Sequence, residues 1–164
     1  MTASGDEASL DMASGDREHT ATEAPILQGR SAARLARHLE KALAPSDLSL
    51  PQYRVLILLG AGSAVASSLA SKLAVSPPSV TAVVDGLVGR GLVNRHADGG
   101  DRRRVSHELT DKGRRVLAEA DGAVNARLEE IAGYLSPRDR ARAAEGLRLW
   151  HQAMDAYLSA SFRD

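Results

Sequence analysis

Residues 76–98 read Ser76-Pro-Pro-Ser-Val-Thr-Ala-Val-Val-Asp-Gly-Leu-Val-Gly-Arg-Gly-Leu-Val-Asn-Arg-His-Ala-Asp98, and residues 99–113 continue Gly-Gly-Asp-Arg-Arg-Arg-Val-Ser-His-Glu-Leu-Thr-Asp-Lys-Gly113. Ser76 is a natural N-cap, and Pro77 and Pro78 fall where a helix needs no amide hydrogen. Val80, Val83, Val84, Leu87 and Val88 recur at i, i+3, i+4, i+7 and i+8, which predicts a helix with one buried face. Its outward face carries Ser79, Thr81, Ala82, Asp85, Gly86 and Gly89. Gly91 suits a left-handed C-cap. Leu92 to Ala97 and Arg104 to Leu109 read as strands, with a tight turn at Asp98-Gly99-Gly100-Asp101. Thr110 is placed to cap a further helix. The stretch therefore predicts an amphipathic helix followed at once by a hairpin with an arginine-loaded tip.

Helical periodicity continues on both sides. Upstream, Ile26, Ala33, Leu35, Leu39 and Leu43 form an apolar stripe that ends before Pro45. Arg30, Arg34, Arg37 and Lys41 form a basic stripe on the same helix. A second helix starts at Ser49 or Leu50, with Tyr53, Leu56, Ile57 and Gly60 inward, and a short one follows over 66–73. Downstream, Val116, Leu117, Ala120, Val124, Leu128, Ile131 and Leu135 mark a long helix. After Ser136-Pro137, a last helix places Leu147, Trp150, His151, Met154, Tyr157 and Leu158 on one seam. A winged domain this small has no use for so much terminal apolar surface, so the seams imply a second core shared with another subunit.

Hydrophobic residues make up 43% of the 164, enough for a core, but aromatics are only 3%, so that core is Ala, Leu and Val in closely packed helices. No apolar run reaches the ~18 residues of a membrane span. Residues 1–24 are acidic and lack the apolar centre of a secretory signal. The chain has no cysteine, which excludes disulfides, thiolate metal sites and thiol redox switches. A cytoplasmic protein is expected. The net charge is zero, yet it is unevenly spread. Residues 1–24 carry net −5, residues 25–66 net +3, residues 67–115 net +4 and residues 116–164 net −2. The basic middle suits a polyanion. A helix sized for a major groove beside a basic loop sized for a minor groove is the geometry of a winged helix-turn-helix on DNA.

With these residues in place the chain resembles the MarR family of bacterial transcription regulators over roughly residues 26–160. The resemblance rests on Gly91-Leu-Val-Asn-Arg95, on Asp101-Arg102-Arg103 and on Leu109-Thr110-Asp-Lys-Gly113, with support from Leu50-Pro-Gln-Tyr-Arg-Val-Leu56 and Leu69-Ala70. It implies a mostly α fold with a small β-hairpin wing. It divides the chain into an acidic disordered tail (1–24), an N-terminal dimerisation helix (25–46), a winged DNA-binding domain (47–110) and C-terminal dimerisation helices (111–164). The implied function is a transcriptional regulator, a repressor, binding a palindromic operator on double-stranded DNA as a homodimer. In many members a small aromatic or lipophilic ligand, or an oxidant, releases the DNA; without cysteine, thiol oxidation is excluded here.

The recognition helix is then expected to use Ser76, Pro78, Ser79, Thr81, Ala82 and Asp85. Ser79 and Thr81 can hydrogen-bond base edges or phosphates, and Pro78 or Ala82 can touch a thymine methyl. Many relatives carry Arg or Lys on this face; short side chains here shift the burden to close approach and DNA shape. Arg103 matches the family's wing-tip arginine for the minor groove. Asp101 matches the partner that orients a wing arginine, and Arg95 is another candidate for that pairing. Arg102 and Arg104 are phosphate contacts by position, with Arg54 and Lys72 as further ones. Arg34, His38 and Tyr53 are the candidates for an effector pocket. His96 and His107 would face one another across a symmetric hairpin, but no acid or thiol completes a metal set, and neither a metal nor a cofactor is expected. No nucleophile–base–acid arrangement stands out, so the chain reads as a non-enzyme. The rival reading is a winged-helix scaffold whose basic wing binds an acidic protein partner.

Overall fold

The computed structural model describes residues 12–98 and 101–161; for residues 12–26, 98, 101–104 and 161 it describes the backbone alone. The elements run α1 (Met12–Leu43), α2 (Leu50–Gly60), β1 (Ala64–Val65), α3 (Ala66–Leu73), α4 (Pro77–Gly89), β2 (Val93–Asp98), β3 (Asp101–Leu109), α5 (Asp111–Ala132) and α6 (Pro137–Ser161), with a short 3-10 turn at Ala44–Ser46. The fold is mostly helical with one small antiparallel sheet. The chain divides into two compact units, one ending at His38 and one beginning at Leu39.

The first unit is helical from Met12, not from Pro25. Residues 12–24 include the good helix formers Ala, Met, Glu and Arg, and the helix runs through Gly15 despite its low propensity. Proline's fixed φ is itself helical, so α1 runs through Pro25, which loses a hydrogen bond and crowds the preceding turn. The remainder of the expected tail, residues 1–11, lies outside the described residues.

In the second unit several helix boundaries have a local cause. Ser49 and Gln52 form a reciprocal capping box at the start of α2, with the Ser49 amide donating to Gln52 Oε1 at 3.0 Å and the Gln52 amide to Ser49 Oγ at 3.3 Å. Ala74, at φ 53°, turns the chain out of α3 in the left-handed region. Ser76 occupies the N-cap position of α4 without a side-chain bond to the helix backbone. Gly91, at φ 68°, ends the turn after α4. Thr110 caps α5, its Oγ1 accepting from the Gly113 amide at 2.9 Å while donating to the Gly91 carbonyl at 2.8 Å.

The core is built from the small and branched residues that the composition demanded. Leu43, Val55, Leu56, Leu69, Val80, Val84, Leu87, Leu92 and Val93 are essentially inaccessible. The valine and leucine stripe of α4 thus fixes that helix against α2 and α3, and its opposite side is left exposed.

The sheet has the order β1-β3-β2, antiparallel throughout. Strand β1 pairs Ala64 with His107 and Val65 with Ser106. At two residues this strand is too short to show alternation in the sequence. The β2–β3 hairpin pairs Val93 with Leu109, Arg95 with His107 and His96 with Ser106, with an irregularity between Ala97 and Asp98. The expected facing of His96 and His107 is therefore corrected. The pairing places Arg95, not His96, opposite His107, so the two imidazoles stand on opposite faces of the hairpin. Among the described residues no group of three His, Cys, Asp or Glu side chains is placed to hold a metal.

Candidate nucleic-acid interface

The exposed side of α4 brings together the residues expected on the recognition helix. Ser76, Pro77, Pro78, Ser79, Thr81, Ala82 and Asp85 are all exposed. Because the two prolines carry no amide hydrogen, the N-terminal turn of α4 offers a ligand fewer backbone donors than most helix starts. Hydroxyl groups supply the polarity instead. Ser76 Oγ and Ser79 Oγ lie 2.7 Å apart, and Thr81 Oγ1 donates back to the Pro77 carbonyl at 3.0 Å. That bond leaves the Thr81 oxygen able to accept, and it fixes where the methyl group points.

Asp85 is held by the hairpin. Arg95 Nη2 of β2 donates to Asp85 Oδ1, an ion pair between wing and helix. Asp101, the other expected partner for a wing arginine, and Arg102, Arg103 and Arg104 have side chains outside the described residues. Their backbone forms the first part of β3, where Asp101 pairs with Asp98 and the register is irregular. On the other face of the hairpin, His96 Nε2 lies 2.8 Å from Glu108 Oε1.

His107 points inward and is 5% exposed. Its Nδ1–H donates to the Ala64 carbonyl at 3.3 Å, tying the hairpin to β1. Burial pushes its pKa below the ordinary 6.5 despite that bond, and the neighbouring Arg95 charge pushes the same way.

Arg54 and Lys72, the expected phosphate contacts, are both exposed. Arg54 Nη2 also donates to the Leu73 carbonyl at 3.1 Å, which satisfies the last turn of α3. Of the pocket candidates, Arg34 and His38 lie one turn apart on α1, in the first unit. Tyr53 lies in the second, where its hydroxyl donates to Asp121 Oδ1 at 2.5 Å. Burial and the adjacent carboxylate hold the Tyr53 pKa above its ordinary 10.0.

Arg90 and Lys112, to which the sequence reading gave no individual role, position the helix. Arg90 Nη1 donates to the Asp47 carbonyl at 2.5 Å and Nη2 to the Ser46 carbonyl at 3.2 Å. Lys112 Nζ donates to the Arg90 carbonyl at 2.9 Å. The C-terminal end of α4 is thus tied both to the turn before α2 and to the first turn of α5. No sequence signal marks such bonds, because their acceptors are backbone carbonyls of distant segments.

Comparison with known proteins bears on this arrangement. The model of the MarR family matches residues 48–105. The uncharacterized HTH-type transcriptional regulator YfiV of Bacillus subtilis (strain 168) is 30% identical over 110 residues, covering 66% of this chain and 69% of its own. The transcriptional repressor CouR bound to a 23-mer DNA duplex is 32% identical with a TM-score of 0.67, covering 79% of this chain and 92% of that one. CouR from Rhodococcus jostii RHA1 bound to p-coumaroyl-CoA is 27% identical with a TM-score of 0.62, covering 74% and 87%. The matched segment contains α2, α3, α4, β2 and the start of β3, the elements that build the exposed helix and its wing. The chain belongs to the MarR family and is a winged helix-turn-helix transcriptional regulator.

Proposed function

We propose that the protein is a repressor that binds a palindromic operator on double-stranded DNA as a homodimer, in the cytoplasm, and releases it when a small aromatic or lipophilic ligand binds. The observation that carries this reading is the exposed N-terminal half of α4 with the β2–β3 wing beside it. The α4 face enters the major groove, where Ser76, Ser79 and Thr81 meet bases and phosphates and Pro78 and Ala82 meet thymine methyls. The wing follows the adjacent minor groove with Arg103, and Arg102 and Arg104 hold phosphates. Arg54 and Lys72 extend the phosphate contacts along the second unit.

The exposed apolar seam of α6 supports the homodimer, since such a stripe calls for a partner surface. The p-coumaroyl-CoA bound by the similar CouR supports an effector.

The test is selection of bound sequences from a random DNA library by the full-length chain, followed by titration of the winning duplex at several salt concentrations with Arg103→Ala alongside. A palindromic winner is expected, with affinity that falls steeply as salt rises. Arg103→Ala should lose about 1–3 kcal/mol of binding. Failure to enrich any sequence would reject the repressor reading and favour a winged-helix scaffold.

A further inference from the structure

The pairing of Asp85 with Arg95 links α4 to strand β2 of the wing. Asp85 lies on the exposed side of α4, one turn beyond Thr81, where a lone carboxylate would repel the phosphates that this helix approaches. Arg95 lies on β2, opposite His107, on the hairpin face that carries the buried Val93 and Leu109. Its guanidinium crosses to Asp85. The two side chains are 44% and 53% exposed, so they sit at the rim of the helix–wing junction. Between helix and hairpin is an open cleft of about 330 Å³, lined by Thr81, Val84, Asp85, Arg95, Val105 and His107.

The base of the hairpin is held by the packing of Leu92, Val93 and Leu109 and by the pairing of β3 with β1. The ion pair spans the cleft further out. From Arg95 to Asp98 the strand runs about 10 Å, so a small rotation at Arg95 becomes a larger displacement at the tip. We infer that Asp85 and Arg95 are positioning residues, a strut that sets the angle between recognition helix and wing and thereby where the wing arginines meet DNA. This rests on the DNA-binding reading above and goes further. It gives the single carboxylate of α4 and one wing arginine a role in geometry, not in contact.

The strut predicts a sign opposite to that of simple electrostatics. Asp85→Asn removes a negative charge near the phosphates, so charge alone would tighten binding. With a strut, Asp85→Asn weakens binding of the full-length chain to the library-selected duplex by about two- to five-fold, the range of an exposed ion pair. Arg95→Gln weakens it as well, and the double variant is no weaker than the weaker single. Hydrogen exchange on the free protein supplies a readout that needs no DNA: amides of residues 93–109 should exchange faster in Asp85→Asn than in the wild type. Tighter binding by Asp85→Asn, additive losses in the double variant, or unchanged exchange would each overturn the strut. If the wild type selects no duplex, the DNA-binding reading fails, and exchange alone decides whether the ion pair holds the wing.

Discussion

Gly113 lies so close to Leu92 that a Cβ on the glycine would stand 2.0 Å from the Leu92 carbonyl oxygen. That carbonyl also accepts from the Thr110 amide at 3.0 Å and from Thr110 Oγ1 at 3.2 Å. The start of α5 is thereby sewn to the first residues of the wing, and only a residue without a side chain fits. Gly113→Ala must push backbone against backbone, which no rotamer change relieves. It should destabilise the protein by about 3 kcal/mol, near the upper end of overpacking costs. Chemical denaturation reads this directly; a loss below 1 kcal/mol would show that α5 can shift freely at its start.

The Tyr53 hydroxyl on Asp121 joins α2 to α5 across 68 positions of sequence. Removing it leaves a half-buried carboxylate without its donor. Tyr53→Phe should therefore cost about 1.5–3 kcal/mol, the value of a hydrogen bond to a charged group. The pH dependence has a definite sign. The folded-state pKa of Tyr53 is raised, so the folded protein favours the protonated phenol. Its stabilising contribution is fully present below the unfolded value near 10 and is lost as pH rises beyond it. Denaturation curves should show the gap between wild type and Tyr53→Phe narrowing above about pH 10. A gap that stays constant with pH would remove the phenol from the account.

His107 works in the opposite direction. Its folded-state pKa is lowered by burial, so the unfolded chain takes up a proton before the folded one does. Stability is therefore lost as pH falls below the ordinary value of 6.5 and towards the folded pKa. Unfolding free energies measured at pH 7.5 and 5.5 should differ in the wild type and differ less in His107→Gln. Equal slopes in the two proteins would place the acid sensitivity elsewhere.

How much of this could be read from the sequence depends on the range of the interaction. The stripe from Val80 to Val88, the cap at Thr110 and the turn at Gly91 are set by residues a few positions apart, and these elements formed where the spacing placed them; the start read at Ser49 or Leu50 resolved to Leu50, with Ser49 as its cap. The register of the hairpin was not legible. Its tip is irregular between Ala97 and Asp98, and a shift of one residue exchanges the faces of His96 and His107. The Arg95–Asp85 pair depended on that register. Strand β1 was too short to show alternation, and Arg90 gives no pattern because it reaches backbone oxygens more than 40 residues away. The helix start at Met12 was masked by Pro25, which reads as a beginning although a helix can pass through it.

The seam of α6 allows the proposed homodimer to be tested on its own. Leu147, Trp150 and Met154 stand at i, i+3 and i+7 and are 49%, 63% and 54% exposed. Each large apolar side chain gains about 1.5–3 kcal/mol when fully buried, so a partner that covers the stripe would gain several times the stability of one contact. Trp150→Glu places a charge in the middle of that stripe, where burial without a counter-ion is strongly unfavourable. Sedimentation of the full-length wild type should give a dimer, and Trp150→Glu should shift it towards monomer while leaving the helical circular-dichroism signal in place. The variant should also lose affinity for a palindromic duplex more than for a single half-site, because only the palindrome uses both subunits. A Trp150→Glu chain that remains fully dimeric would show that α6 does not hold the subunits together.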